Sequence, residues 1–274
     1  MNDPRLTPAR SDVAAAKLKG TIDAERFVEG VPHQVKVGAS VLREAPSFVA
    51  RLETQLLYGE VFDIYDQDED GWVWGQARLD GYVGYARAES FDAEIHVPTH
   101  RVAVLRTLVF PEPDKKSQPP SPLSLNAKLT MTAMENGFAG LSRGGWVYAA
   151  HIAPVDAHVD DWVASAERFV GLPYLWGGKD SSAADCSGVV QTALETGGVN
   201  APRDADMQEA VVGREIPLDA KLERGDLVFW PGHVGLMRSA TELLHANAFH
   251  MQTVVEPLTE TIARIGAPRS IRRL

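Results

Sequence analysis

With one cysteine in 274 residues, the chain can form no internal disulfide, so nothing in it calls for an oxidising compartment. No run approaches the ~18 apolar residues of a membrane-spanning helix. Positive charge is short: 27 Lys and Arg stand against 37 Asp and Glu, for a formal net charge of −10. That balance argues against nucleic acid or an anionic membrane as partner. The opening stretch MNDPRLTPARSDVAAAKLKG carries charge throughout and lacks the apolar core of a signal peptide. A cytoplasmic protein is the expectation. What is present is the mix of a soluble globular chain, 45% hydrophobic and 23% charged. The length suits about two domains, or three if some are compact barrels.

The first half reads as short strands. KVGASVLREAP, QLLYGEVFDIYD, GWVWGQARLD and GYVGYARAE alternate apolar and polar positions, with Gly, Asp or Pro between them. A degenerate second copy follows. Val41-Leu42-Arg43 recurs as Val104-Leu105-Arg106, and Gly71-Trp72-Val73 as Gly145-Trp146-Val147. The interval between the two signatures is longer in the second copy, and PEPDKKSQPPSP (Pro111 to Pro122) accounts for the difference as a loop. Two copies of short strands fit small closed barrels, with the Trp-Val pairs as barrel core. The thirty residues before them either wrap the barrels or stay disordered.

From Asp156 the pattern turns helical. Trp162, Val163, Ala166, Phe169 and Val170 share one helix face; Asp160 or Asp161 caps its start, and Gly171 and Pro173 stop it. A second helix begins within DCSGVVQTALETGG, with Val189, Val190, Ala193 and Leu194 as its buried stripe and Gly197-Gly198 as its end. GDLVFW, HVGLM and ELLHANA then read as consecutive antiparallel strands. This half is α+β.

The lone cysteine, Cys186, falls in the first turn of that second helix. Open backbone N–H groups and the helix dipole favour a thiolate there, which is expected to lower its pKa. A thiolate nucleophile needs a proton donor for the leaving amine, and His233 is the candidate. Strand alternation puts His233, Gly235 and Met237 on one face, and the missing side chain of Gly235 is expected to leave room for substrate. His245, on the next strand, can fix the tautomer of His233 as a third member. The bland reading of each is a buried thiol and structural histidines. A metal site from Cys186, His233 and His245 lacks the short ligand spacing of common zinc sites, so no metal or cofactor is expected. GGKDSS (177–182) is not a phosphate loop, since that motif needs glycine at Pro173 and Ser or Thr at Asp180.

PYLWGG, DCSG, PRDADMQ, GDLVFW, HVGLM and LLHA follow one another as in the NlpC family of papain-like cysteine peptidases, which residues 156–250 resemble. The barrels before them resemble paired bacterial SH3 domains, an arrangement similar to dipeptidyl-peptidase VI type enzymes. The implied organisation is an arm (1–30), two SH3-like β-barrels (31–96 and 97–155) and an α+β papain-like NlpC domain (156–274). The implied activity is cleavage of the γ-D-glutamyl–L-diamino acid bond in murein peptides with a free N-terminal L-alanine. The resemblance carries Cys186, His233 and His245 over as catalytic. Tyr174, Trp176, Asp185 and Ser187 carry over as substrate contacts, with Arg203 and Asp204 the polar pair before Gln208. Ala205 departs from the serine that such enzymes tend to have, so one substrate hydrogen bond is missing or supplied elsewhere. Asp185 is also suited to pair with the free α-ammonium. A dipeptide cutter needs a wall after two residues, which the first barrel can offer through Leu57 to Glu60 and Gly81 to Tyr85. By resemblance, Glu60 and Tyr82 contact the amine; as bland readings, Glu60 is a solvated turn acid and Tyr82 barrel packing. The rival readings are an exported wall hydrolase that uses its barrels for targeting, and an inert peptidoglycan-peptide-binding protein.

Overall fold

A computed structural model describes residues 3–118 and 121–274. Met1 and Asn2 of the expected arm, and Pro119 and Pro120 of the expected loop, lie outside the described residues. The chain divides into two compact units, Met1–Val155 and Asp156–Leu274. Among the described residues no helix is long and apolar enough to cross a membrane.

The first unit opens with β1 (Val13–Ala15) and β2 (Arg26–Val28), paired in parallel. Its main sheet has seven strands: β3 (Val31–Val35), β4 (Ala39–Arg43), β5 (Leu52–Leu57), β6 (Val61–Gln67), β7 (Trp72–Ala77), β8 (Val83–Arg87) and β9 (Phe91–Asp92). Their order is β5-β4-β8-β7-β6-β3-β9. The alternation read in the sequence is visible in β4 and β8, where every second residue is buried. Val35, Leu42, Phe62, Val73 and Phe91 fill the core, with Phe62 stacked on Phe91 at 5.3 Å. The arm packs on this sheet. Val83 N donates to Arg5 O at 2.8 Å and Gln76 Nε2 to Leu6 O at 2.9 Å. The Arg10 guanidinium covers the Trp74 ring at 4.7 Å and pairs with Asp66.

The rest of this unit is built from smaller pieces. β10 (His100–Val102), β13 (Lys128–Leu129) and β17 (Ile152–Pro154) form one sheet, and β11 (Arg106–Val109) pairs with β12 (Ser121–Ser124). β14 (Met131–Glu135), β15 (Phe138–Leu141) and β16 (Trp146–Tyr148) form another. They enclose Val102, Leu123, Leu129, Ala139 and Val147. The repeat holds in part. Gly71 and Gly145 both have left-handed φ, 80° and 79°, and each turns the chain into a strand beginning Trp-Val with the valine fully buried. Val104 and Leu105, by contrast, precede β11, whereas Val41 and Leu42 lie within β4. The expected loop is also shorter than expected, since Ser121 and Pro122 pair with Val109 and Leu108.

In the second unit α1 (Val163–Glu167) is one short turn, not the long helix expected from its apolar periodicity. Its N-cap residue is Trp162, with no side-chain cap, but the carboxylate of Asp161, one of the two expected capping residues, accepts from Ala164 N at 3.4 Å. Val170 is 45% exposed, because the chain has already left the helix there. α2 (Cys186–Thr196) is buried on nearly every side and not along one stripe alone; Gly197 caps it and Gly198, at φ 79°, turns the chain away. α3 (Ala205–Val211) follows. The sheet contains β18 (Arg214–Ile216), β19 (Leu227–Trp230), β20 (His233–Met237), β21 (Glu242–Asn247), β22 (Gln252–Pro257) and β23 (Ser270–Arg273), in the order β18-β23-β19-β20-β21-β22. All its pairings are antiparallel. α4 (Leu258–Ile265) lays Leu258 and Ile262 on the core of Ile216, Val228, Trp230, Met237 and Leu243.

Candidate active site

The start of α2 is held by Asp185, the N-cap, whose Oδ1 accepts from Gly188 N at 2.7 Å. Its Oδ2 accepts from Gly177 N at 2.7 Å. Arg203 completes the set with a fork of two bonds to the same carboxylate, at 3.0 and 2.8 Å. The guanidinium also donates to Ser187 Oγ at 2.9 Å and Gly178 O at 3.1 Å, and the residue is 1% exposed. Gln208 Nε2 braces the same turn, donating to Ser187 O at 3.0 Å. Glycine is required at 188: a Cβ there would stand 2.1 Å from Gly178 O. Asp185, Ser187 and Arg203, expected to touch substrate, build the turn that carries the cysteine. All three are buried, and their polar atoms serve one another and the backbone around the cysteine. Asp204 is partly buried at the N-cap of α3. Tyr174 is half-buried beside the cysteine; burial and then the charges of Cys186 and Asp185 push its phenol up. Trp176 stands 57% exposed.

The expected low thiol pKa is not found. Burial, and then the Asp185 carboxylate, push the Cys186 thiol up to about 12, against hydrogen bonds from the backbone of Val234 and Ser187. Helix-start placement is outweighed because the sulfur lies in a dry site next to an acid. The resting group is a neutral thiol. Its contact with Val234 places it next to His233 along β20.

Strand register brings the histidines to one face. Leu236 pairs with Leu244 and Met237 with Leu243, so His245 shares a face with Met237 and hence with His233. His233 Nε2 lies 2.8 Å from His245 Nδ1. Burial first, then His245, pull His233 down to about 4, so near neutral pH its ring is an uncharged base. Gly235 does not make room for substrate as expected. A Cβ there would meet the Leu243 side chain at 2.8 Å, so its absence lets the core close.

Sequence reasoning stopped before β22 and missed Glu256. This residue pairs with Leu243 across the sheet, and its Oε1 lies 2.8 Å from His245 Nε2. Burial opposes its ionisation, but hydrogen bonds from Arg264, Thr261 and His245 hold the carboxyl down at about 2. The only signal available was an acid in the apolar run QTVVEP. Trp230, His233, His245, Asn247, Phe249 and Arg264 line a cavity of about 510 Å³. Among the described residues, no group of three or more His, Cys, Asp or Glu is arranged to hold a metal ion.

The NlpC/P60 family profile matches residues 171–264, a span that contains this whole constellation. The chain carries an NlpC/P60 domain. In the first unit, residues 42–91 match the bacterial dipeptidyl-peptidase SH3 domain. An SH3 domain therefore precedes the NlpC/P60 domain. Dipeptidyl-peptidase 6 of Lysinibacillus sphaericus is 29% identical over 242 residues, covering 78% of this chain and 87% of that protein. The gamma-D-glutamyl-L-lysine dipeptidyl-peptidase of Bacillus subtilis is 29% identical over 236 residues, covering 77% of each. A solved NlpC/P60 family protein from Bacillus cereus shares the fold, with a TM-score of 0.75 at 20% identity over 88% of this chain and 99% of that one.

Of the residues expected in the SH3 domain, Tyr82 is 2% exposed within the barrel core, and its Oη donates to Glu53 at 3.3 Å. Glu60 is 5% exposed, and so is not a solvated turn acid. It follows Gly59, whose left-handed turn brings Lys128 O within 2.1 Å of where a Cβ would stand. In the NlpC/P60 domain, a neutral thiol beside a neutral imidazole suits general-base catalysis: the proton passes to the ring as the sulfur attacks, with no standing ion pair.

Proposed function

We propose that the protein is a cysteine endopeptidase that cleaves the γ-D-glutamyl–L-diamino acid bond of murein peptides with a free N-terminal L-alanine. One observation carries the reading: His233, on the strand whose Val234 contacts the Cys186 sulfur, is hydrogen-bonded to His245 on the next strand. The names of the relatives supply the bond. His233 takes the thiol proton as Sγ attacks the γ-carbonyl carbon of the D-glutamyl residue. The tetrahedral intermediate collapses to a thioester as His233 returns the proton to the departing amine. Water, deprotonated by His233, then releases the acid and restores the thiol. His245 orients His233.

In this reading the enzyme works in the cytoplasm on soluble peptides in wall recycling. The region 97–155 is a second, degenerate SH3-like barrel, supported by the matching turns at Gly71 and Gly145. Glu60, a buried acid after a tight turn, and Tyr82 are the proposed readers of the substrate amine, and Tyr174 and Trp176 line the acyl side. The test is mass spectrometry of products from L-Ala-γ-D-Glu-L-Lys, its diaminopimelate analogue, their N-acetylated forms and intact sacculi. Release of Ala-Glu from free-amine peptides alone supports the proposal. Digestion of sacculi favours an exported wall hydrolase, and no cleavage of any of them leaves a binding protein. Glu60→Gln should lower kcat/KM by about ten- to a hundred-fold on free-amine peptides only.

A further inference from the structure

We propose that Glu256 is a positioning residue for this reaction: held by Arg264 and Thr261, it fixes His245 in the tautomer that leaves His233 Nδ1 as the base. The role in turnover rests on the peptidase reading, but the tautomers themselves do not. An ionised carboxylate has only lone pairs to offer, and of the two groups at His245 Nε2, Glu256 Oε1 at 2.8 Å and the Asn247 amide Nδ2 at 3.0 Å, the nearer, charged acceptor takes the ring proton. His245 Nδ1 is then an acceptor, and His233 Nε2, 2.8 Å away, must donate to it. His233 has one proton when neutral, so its Nδ1 is left with a lone pair.

The device depends on Glu256 staying ionised inside the protein, and α4 provides for that. The helix begins directly after β22, and Thr261 and Arg264, three residues apart, lie on one face of it. Thr261 Oγ1 donates to Glu256 Oε1 at 2.8 Å, Arg264 Nη1 to Oε2 at 3.2 Å, and Arg264 Nη2 pairs with Oε1. The guanidinium is itself held over the Phe249 ring at 4.5 Å. If Glu256 were neutral, its O–H could donate to His245 Nε2. Both rings would then change tautomer, and His233 would present an N–H where the base should be. The charged and titratable groups around His233 are the Cys186 thiol and Asp185 from the start of α2, His245 from β21, Glu256 from β22 and Arg264 from α4. His245 also feels His250.

The experiment combines ring nitrogen NMR of the full chain with kinetics on L-Ala-γ-D-Glu-L-Lys. In the parent, His233 and His245 should both carry their proton on Nε2. In Glu256→Gln, whose amide can donate, the Nδ1–H form should become populated at both rings. Its kcat should fall about ten- to a hundred-fold, with KM little changed. Arg264→Lys keeps the cation and should retain the parent tautomers. Thr261→Val should be milder still, and serves if Glu256→Gln does not fold. Parent-like ring signals in Glu256→Gln, with kcat within about threefold of the parent, would overturn the proposal. A parent that does not cleave the peptide defeats the peptidase reading alone, and the ring signals still decide the tautomers.

Discussion

Asp185 and Glu256 each hold an arginine inside the NlpC/P60 domain, but at opposite ends of the constellation and with different surroundings. Asp185 caps α2, and its partner Arg203 is 1% exposed, so the guanidinium is sealed from water. Glu256 sits at the end of β22, and its partner Arg264 keeps about a fifth of its side chain exposed. The first pair binds backbone groups on both sides of the cysteine, while the second touches a histidine ring. Two pairs of the same chemistry thus do different things: one fixes chain geometry, the other fixes where a proton sits. Burial decides which is costly to break, and the hydrogen-bond partner decides which is coupled to chemistry.

The largest effect expected is at the point where both pairs converge. Cys186→Ala should abolish peptide hydrolysis while changing stability by no more than about 1–2 kcal/mol, since only one small sulfur is lost. Iodoacetamide should label one site and inactivate in step; activity surviving full alkylation would sink the thiol mechanism.

Next in size, the two arginines should separate in stability. Arg203→Ala leaves Asp185 charged and buried, and should cost about 3–5 kcal/mol in urea unfolding. Arg264→Ala removes a partner that is itself partly exposed and leaves Thr261 and His245 on Glu256, so it should cost less, about 1–2 kcal/mol. Equal losses would show that burial does not distinguish them.

Acid should weaken the second pair. Glu256 is held at about 2, below its unfolded value, so its contribution is present above that unfolded value and is lost as pH falls through about 2. His233, at about 4, is also depressed: the unfolded chain binds its proton first, so stability falls as pH drops from about 6.5 towards 4. Turnover requires neutral His233, so the acid limb of kcat/KM should lie near pH 4. A limb at or above about 6.5 would contradict the burial of the ring. The smallest effect is expected at Arg224, which joins Asp161 and Glu167 at the surface. Arg224→Ala should cost under about 1 kcal/mol and should lose even that in high salt.

Local patterns in the chain carry their information at short range, and that is where the reading succeeded. The start of α2 at Cys186, its Gly197-Gly198 end, and the strands holding His233 and His245 were all legible, because helix ends, turns and alternation act over a few residues. Nothing in PRDADMQ reveals that Asp185, 18 residues earlier, will bind Arg203. The thiol looked activated because helix position is readable and desolvation is not. Gly235 looked like space for substrate, since only the register of β21 puts Leu243 over it. Glu256 was invisible for the same reason: its partners are chosen across strands and by a helix that begins two residues later.

The arm clasped on the SH3 domain has a kinetic consequence. Arg10 meets Asp66 and Tyr85 at separations of 56 and 75 residues, and Gln76 reaches Leu6 across 70. Contacts of that span form after hairpin pairs such as β6–β7, because loop closure must come first. During synthesis at about 5–20 residues per second, Arg10 therefore waits roughly 4–15 s for Tyr85 to be made. A segment made before the sheet is thus among the last to dock. Pulse proteolysis during refolding should find it still cleavable once the sheet resists; simultaneous protection would show that arm and barrel form in one step.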